Sequence, residues 1–181
     1  MAGNPNNVKI WEDADVRILK PSAIVAPATI STLIPGDVDA EWGPEWLLAG
    51  LLDGSEGFGE SREWDESEHT AWGYGLIKVS SRNFKMTRTF TALEANEVTD
   101  YLYSPGDTAG KVIIAKPAYV YLGFETIADD GTKERLITTV PARVTAPESN
   151  RNEEDLASRQ FTANIFPNSD KELFHRQVSA A

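Results

Sequence analysis

Residues 76–91 read LIKVSSRNFKMTRTFT, and this run decides the fold class. Phe84, Met86 and Phe90 alternate with Lys85, Thr87, Thr89 and Thr91. A period of two places one set on a buried face of a strand and the other on a polar face. β-Branched threonines suit a pleated surface better than a helix. Arg88 is the one charged residue on the apolar side.

Upstream, Trp72-Gly73-Tyr74-Gly75 separates this strand from a polar stretch, Ser55 to His69. Between Asp53 and Glu68 stand seven acids (Asp53, Glu56, Glu60, Glu63, Asp65, Glu66 and Glu68) against the single base Arg62. Further back, Trp46 to Leu52 is an apolar run that fits a helical turn or a buried strand equally well. Pro21, Pro27 and Pro35 cut residues 16–36 into short extended pieces, because each proline removes a backbone donor and fixes φ. Residues 1–15, with Asn4-Pro5-Asn6-Asn7, read as a mobile polar arm.

Downstream comes TALEANEVTDYLYSPG. Thr91 three residues before Glu94 is the pattern of a capping box, and predicts a helix start there. Ala95, Val98 and Leu102 form one apolar stripe, and Ser104-Pro105-Gly106 ends the helix. The remainder reads as strands: 117–127, the hairpin turn Asp129-Asp130-Gly131, 133–140 with an extension over 142–146, and 159–166. Pro147 to Asp155 reads as a polar loop and residues 175–181 as a polar tail. The expected fold is mainly β with one flanking helix.

Composition narrows the function. Asp and Glu outnumber Lys and Arg by 28 to 17, a net charge of −11, which disfavours phosphate-neutralising nucleic-acid binding and an anionic membrane surface. The absence of cysteine excludes a disulfide framework, a thiolate metal site and a cysteine nucleophile. No secretory leader and no apolar run of about 18 residues is present, so a soluble protein made in a cytoplasm is expected.

The usual catalytic arrangements are missing. His69 and His175 are far apart in sequence and lack metal-site spacing, and no phosphate-binding glycine loop or nucleophile elbow occurs. Asp129-Asp130-Gly131 lacks the ligand spacing of a calcium loop. The alternative that merits weighing is a carbohydrate-binding or carbohydrate-active β-sandwich using Trp64, Trp72 and a pair among Glu63, Asp65, Glu66 and Glu68. Strand alternation, however, places Glu63 with Asp65 on one face and Glu66 with Glu68 on the other, which suits a solvated strand better than a paired site. Trp42, Trp46, Trp64 and Trp72 fit a core or an aromatic interface equally well.

In order, LLDGSEGFGESREWDESEHTAWGYG, the β-run and FTALEANEVTDYLYSPG resemble the centre of major tail tube proteins of long, flexible-tailed bacteriophages, especially those infecting actinobacteria. Trp72-Gly73, Phe90, Glu94, Asn96, Tyr101, Tyr103 and Gly106 carry the resemblance, and PARVTAPESNRNEEDLASRQFTANIFPNSDKELF is similar to the family's final strand pair. The resemblance implies a tail-tube-type β-sandwich or half-barrel over 16–174, with no cofactor and no metal. It implies homohexameric rings stacked into a tube in the virion tail, assembled in the bacterial host cytoplasm. It also implies partners: the tape measure protein, and tail terminator and distal tail or baseplate proteins. Viral DNA would pass through without specific binding. Under this expectation Glu60, Glu63, Asp65, Glu66 and Glu68 face the lumen and repel DNA, while the N-terminal arm and the loops 53–59 and 147–155 join subunits or rings.

Overall fold

The alternating run forms an 18-residue strand, β4 (Gly75–Ala92), in a computed structural model that describes residues 3, 4, 8–26, 28–151, 153 and 155–179. The acidic stretch before it is also a strand, β3 (Gly59–Ala71), and the two pair antiparallel. The other strands are β1 (Trp11–Leu19), β2 (Leu47–Leu48), β5 (Ala118–Ala128), β6 (Lys133–Thr138), β7 (Ala142–Asn150), β8 (Ser158–Ile165) and β9 (Phe174–Val178). The protein is mainly β; among the described residues all strand pairing is antiparallel and one helix is longer than a turn.

The order β2-β1-β5-β7-β8-β4-β3 runs through β5, which also carries a branch to β6 and then β9. One edge of β5 bonds β1; its other edge bonds β7 at Ala118–Val120 and β6 at Gly123–Ile127. The fork lets the sheet close over one apolar interior. Phe90 of β4 stacks on Phe161 of β8 with centroids 5.1 Å apart, while Phe124 of β5 meets Phe90 at 6.3 Å and Phe174 of β9 at 6.4 Å, both edge to face. Such pairs add to area burial by about 0.5–1.5 kcal/mol each. A satellite cluster of Leu19, Trp46 and Ile137 lies beneath Trp42 and the one-turn helix α1 (Ile30–Leu33). Trp42 covers the bare backbone of β5: a Cβ on Gly123 would lie 2.4 Å from its ring.

Several expectations are corrected. The helix α2 spans Glu97–Tyr103, and its cap is Asn96, not Thr91 with Glu94. Asn96 Oδ1 accepts from the amides of Val98 and Thr99, and the Thr99 hydroxyl accepts from the Asn96 amide. This reciprocal pair satisfies first-turn donors as Thr91 and Glu94 were expected to do. Thr91 instead closes β4, where its carbonyl accepts from Asp53 N, and Glu94 accepts from Leu51 N at 3.2 Å. The helix packs on β5, β7 and β8, with Val98, Thr99 and Leu102 buried.

At the amino end β1 starts at Trp11, so residues 11–15 belong to the sheet and not to an arm; Met1, Ala2 and Pro5 to Asn7 lie outside the described residues. The pieces between the prolines are not all extended: Pro21–Ala23 is a 3-10 turn and Thr29 with Thr32 caps α1, while Pro27 lies outside the described residues. At the far end, 175–178 of the expected tail belong to β9, which bonds β6 and whose alternating pattern is only partly apolar; Ala180 and Ala181 lie outside the described residues. Residues 147–150 extend β7 against β8, and Asn152 and Glu154 of that loop lie outside the described residues. The Asp129-Asp130-Gly131 hairpin forms as expected, with Gly131 at φ 80°.

Candidate functional site: the projecting β3–β4 ribbon

β4 bonds β8 only from Met86 to Ala92. Among the described residues, its sole partner from Gly75 to Lys85 is β3, and β3 has no strand on its outer side. The two strands therefore leave the body as a ribbon whose residues 64–84 are solvent-exposed apart from the half-buried Ala71 and Ser80. Isolated two-stranded ribbons are marginal in water, so an ordered one this long requires local reinforcement or a partner.

The tip is Trp72-Gly73-Tyr74, closed by Tyr74 N donating to Ala71 O at 3.1 Å. Gly73 and Gly75 hold φ 81° and 75°, left-handed values that a tight hairpin needs and that side chains resist. Trp72 is fully exposed, Tyr74 nearly so, and Leu76, Ile77 and Val79 are more than two-fifths exposed. Further along, Trp64 and Phe84 pack on each other with centroids 5.1 Å apart. The tryptophans thus divide: Trp46 is core, whereas Trp64 and Trp72 stand on the ribbon.

The five acids singled out from sequence all lie on β3, but not together. Paired residues share a face: Glu63 is opposite Lys85 and Asp65 opposite Arg82, while Glu66 is opposite Ser81 and Glu68 opposite Val79. Asn83 and Phe84 together face Trp64 in a bulge, with Asn83 at φ 51°. There Asn83 Nδ2 and Lys85 Nζ donate to Asp65 at 3.0 and 3.1 Å, and these bonds hold its carboxyl below the usual carboxylate range. Glu60 pairs with both Arg62 and Arg88. Across 59–92 the acids Glu60, Glu63, Asp65, Glu66 and Glu68 are matched by Arg62, Lys78, Arg82, Lys85 and Arg88. The ribbon has no net charge; Glu66 and Glu68 alone face no base across the ladder.

At the root, Arg88 turns inward as its position in the alternation requires. Its guanidinium lies 4.6 Å from the Phe124 ring centre, with Phe58 and Phe174 at 5.8 and 5.6 Å. Nε is 3.2 Å from Glu60 Oε2, out of line for a hydrogen bond, and Nη1 is buried with no hydrogen-bond partner among the described residues. Burial lowers the Arg88 pKa, opposed chiefly by Glu60. The group lines a cavity of about 530 Å³ shared with Phe58, Phe90, Asp15 and Glu134. Sequence reading found Arg88 as an exception to its strand but gave no sign of the cavity, which the distant segments 11–15 and 48–58 complete.

Neither histidine meets a carboxylate dyad: His69 sits on the ribbon against Ser80 at 3.2 Å, and His175 is on β9. Among the described residues no group of three or more His, Asp or Glu side chains is placed to hold a metal, and no helix is long and apolar enough to cross a membrane. No protein-family model matches the chain, and no curated protein matches it significantly.

Proposed function

We propose that this is a structural, self-assembling protein of the phage tail-tube type, whose rings stack into a conduit, and not an enzyme. The observation that carries the reading is the ribbon: two long strands held out of the body, one open edge on each, and a tip of exposed aromatic and aliphatic side chains. Open edges and apolar tips are liabilities in a monomer and are used when a neighbouring subunit covers them. Ring closure by a repeated head-to-tail contact supplies that cover for every subunit at once. The forked mainly-β body with one helix packed outside is compatible with this role.

Within this reading Glu66 and Glu68 are the acids best suited to repel a passing polyanion, because Glu60 and Asp65 are ion-paired and Glu63 lies opposite Lys85. Negative-stain microscopy of the purified chain tests the reading. Rings or tubes of uniform width are the expected result; a protein that stays monomeric at all concentrations and binds glycans through the Trp64 face would replace it with the carbohydrate reading.

A further inference from the structure

The loop between α2 and β5 contains a second unpartnered element. Thr108 and Lys111 exchange backbone hydrogen bonds of 3.0 and 3.1 Å around Ala109-Gly110, which launches Lys111-Val112-Ile113-Ile114-Ala115-Lys116 as a separate segment. Val112 and Ile114 are 88% and 90% exposed. Residues 112–116 make no backbone-to-backbone hydrogen bond among the described residues, and the Ile113 amide donates to Asp107 Oδ1 at 2.9 Å. A β-branched run whose backbone lacks strand partners, held out in solvent, has the make-up of a strand without a sheet.

The geometry points to residues 111–116 as a strand that adds to the open β3 edge of a second copy of this chain. The inference rests on the self-assembly reading and names one contact within it. Charge selects the acceptor among the open edges. The free edge of β4 carries Lys78, Arg82 and Lys85, which disfavours Lys111 and Lys116, and β9 (Phe174–Val178) carries no acid to attract them. β2 is two residues long. β1 carries Glu12, Asp13 and Asp15 where it lines the cavity at the root of the ribbon, whereas β3 stands clear of the body and offers Glu66 and Glu68, which face no base across the ladder, beside Glu63 and Asp65.

The faces also match. Lys111 and Ile113 fall on one side of an extended segment, and Val112, Ile114 and Lys116 on the other. The second set suits the β3 face bearing Trp64, Glu66 and Glu68; the first meets the face bearing Glu63, where Asp65 is already bound by Lys85. The same acids discourage β3 from pairing with β3 of another copy, since like charges would be juxtaposed.

The test measures the critical concentration for assembly of the full chain by sedimentation, with monomer folding followed by circular dichroism. K111E/K116E and E63K/E68K are each expected to raise it about tenfold, and their combination to bring it back within about threefold of the parent, as complementary charges require. A synthetic KVIIAK peptide in excess should inhibit assembly of the unaltered chain, and does not depend on any variant folding. Unchanged assembly by both double variants, no rescue in the combination, or no inhibition by the peptide overturns the contact while leaving the tail-tube reading in place. An unaltered chain that never assembles overturns both.

Discussion

β4 is one strand with two halves that behave as different materials. Met86 to Thr89 lies between β3 and β8 and Phe90 to Ala92 continues along β8, with Met86, Phe90 and Ala92 buried. Gly75 to Lys85 has a neighbour on one side only and is almost wholly in water. The apolar period continues through both, in Phe84, Met86 and Phe90, but the inner residues find a core within the chain and the outer ones do not. Hydrophobic alternation thus identifies a face that wants cover without saying which molecule supplies it.

The largest effect expected from breaking this comparison is at the inner half. Phe90→Ala should lower unfolding free energy by about 3–5 kcal/mol in a denaturant titration, through lost burial and a residual cavity among Phe124 and Phe161. Trp72→Ala at the outer end should leave monomer stability within about 0.5 kcal/mol, as for other exposed sites. Its expected consequence is loss of rings and tubes by microscopy. A large stability loss from Trp72→Ala would erase the distinction between the halves.

Arg88 marks the boundary, and two substitutions separate its roles. Arg88→Ala removes ring packing as well as the ion pair and should cost about 2–3 kcal/mol. Arg88→Met keeps the packing and discards a buried N–H that has no acceptor; thermal unfolding should place it within about 1 kcal/mol of the parent. If both variants lose the same amount, the charge and not the packing holds the root of the ribbon.

Beyond the strand, Asn96→Ala should cost about 1 kcal/mol for the lost cap, whereas a cap at Thr91 and Glu94 would make this substitution silent. The smallest effect concerns the hairpin at Asp130, whose carboxyl is held down at about 2 by Thr132 and by Lys9. A depressed carboxyl contributes stability above its ordinary value near 3.8 and loses it as pH falls toward 2. An NMR titration of Asp130 should therefore show a midpoint well below that of a free aspartate.

The long strands, the β5–β6 hairpin and the existence of one helix were legible because each rests on local signals: alternation, Asp130-Gly131, and the Val98 and Leu102 stripe. What misled was competition between equally local patterns. Thr91-Glu94 and Asn96-Thr99 both spell a cap, and the strand pairing of Ala92 with Leu52 and Arg159 ends too late for the first to be used. The acids of β3 were visible, but their neutralisation depends on register with Lys85 and Arg82, and the bulge at Asn83 and Phe84 sets that register. The Arg88 cavity and the role of β9 depend on pairings across the whole chain, which no local window contains.

The fork at β5 has a consequence in time. Apart from its two-residue pairing with β2, β1 cannot pair until β5 exists, more than a hundred residues later, and the outer edge of β6 stays open until β9 is made. Contacts of such separation form slowly, in milliseconds to seconds, while a hairpin such as β3–β4 closes in about 1–10 μs. The ribbon and its tip of Trp72 and Tyr74 are therefore made before the body that should carry them. During synthesis, crowded nascent chains would meet first through their ribbons, so slower production or a bound chaperone should raise the yield of correctly closed subunits.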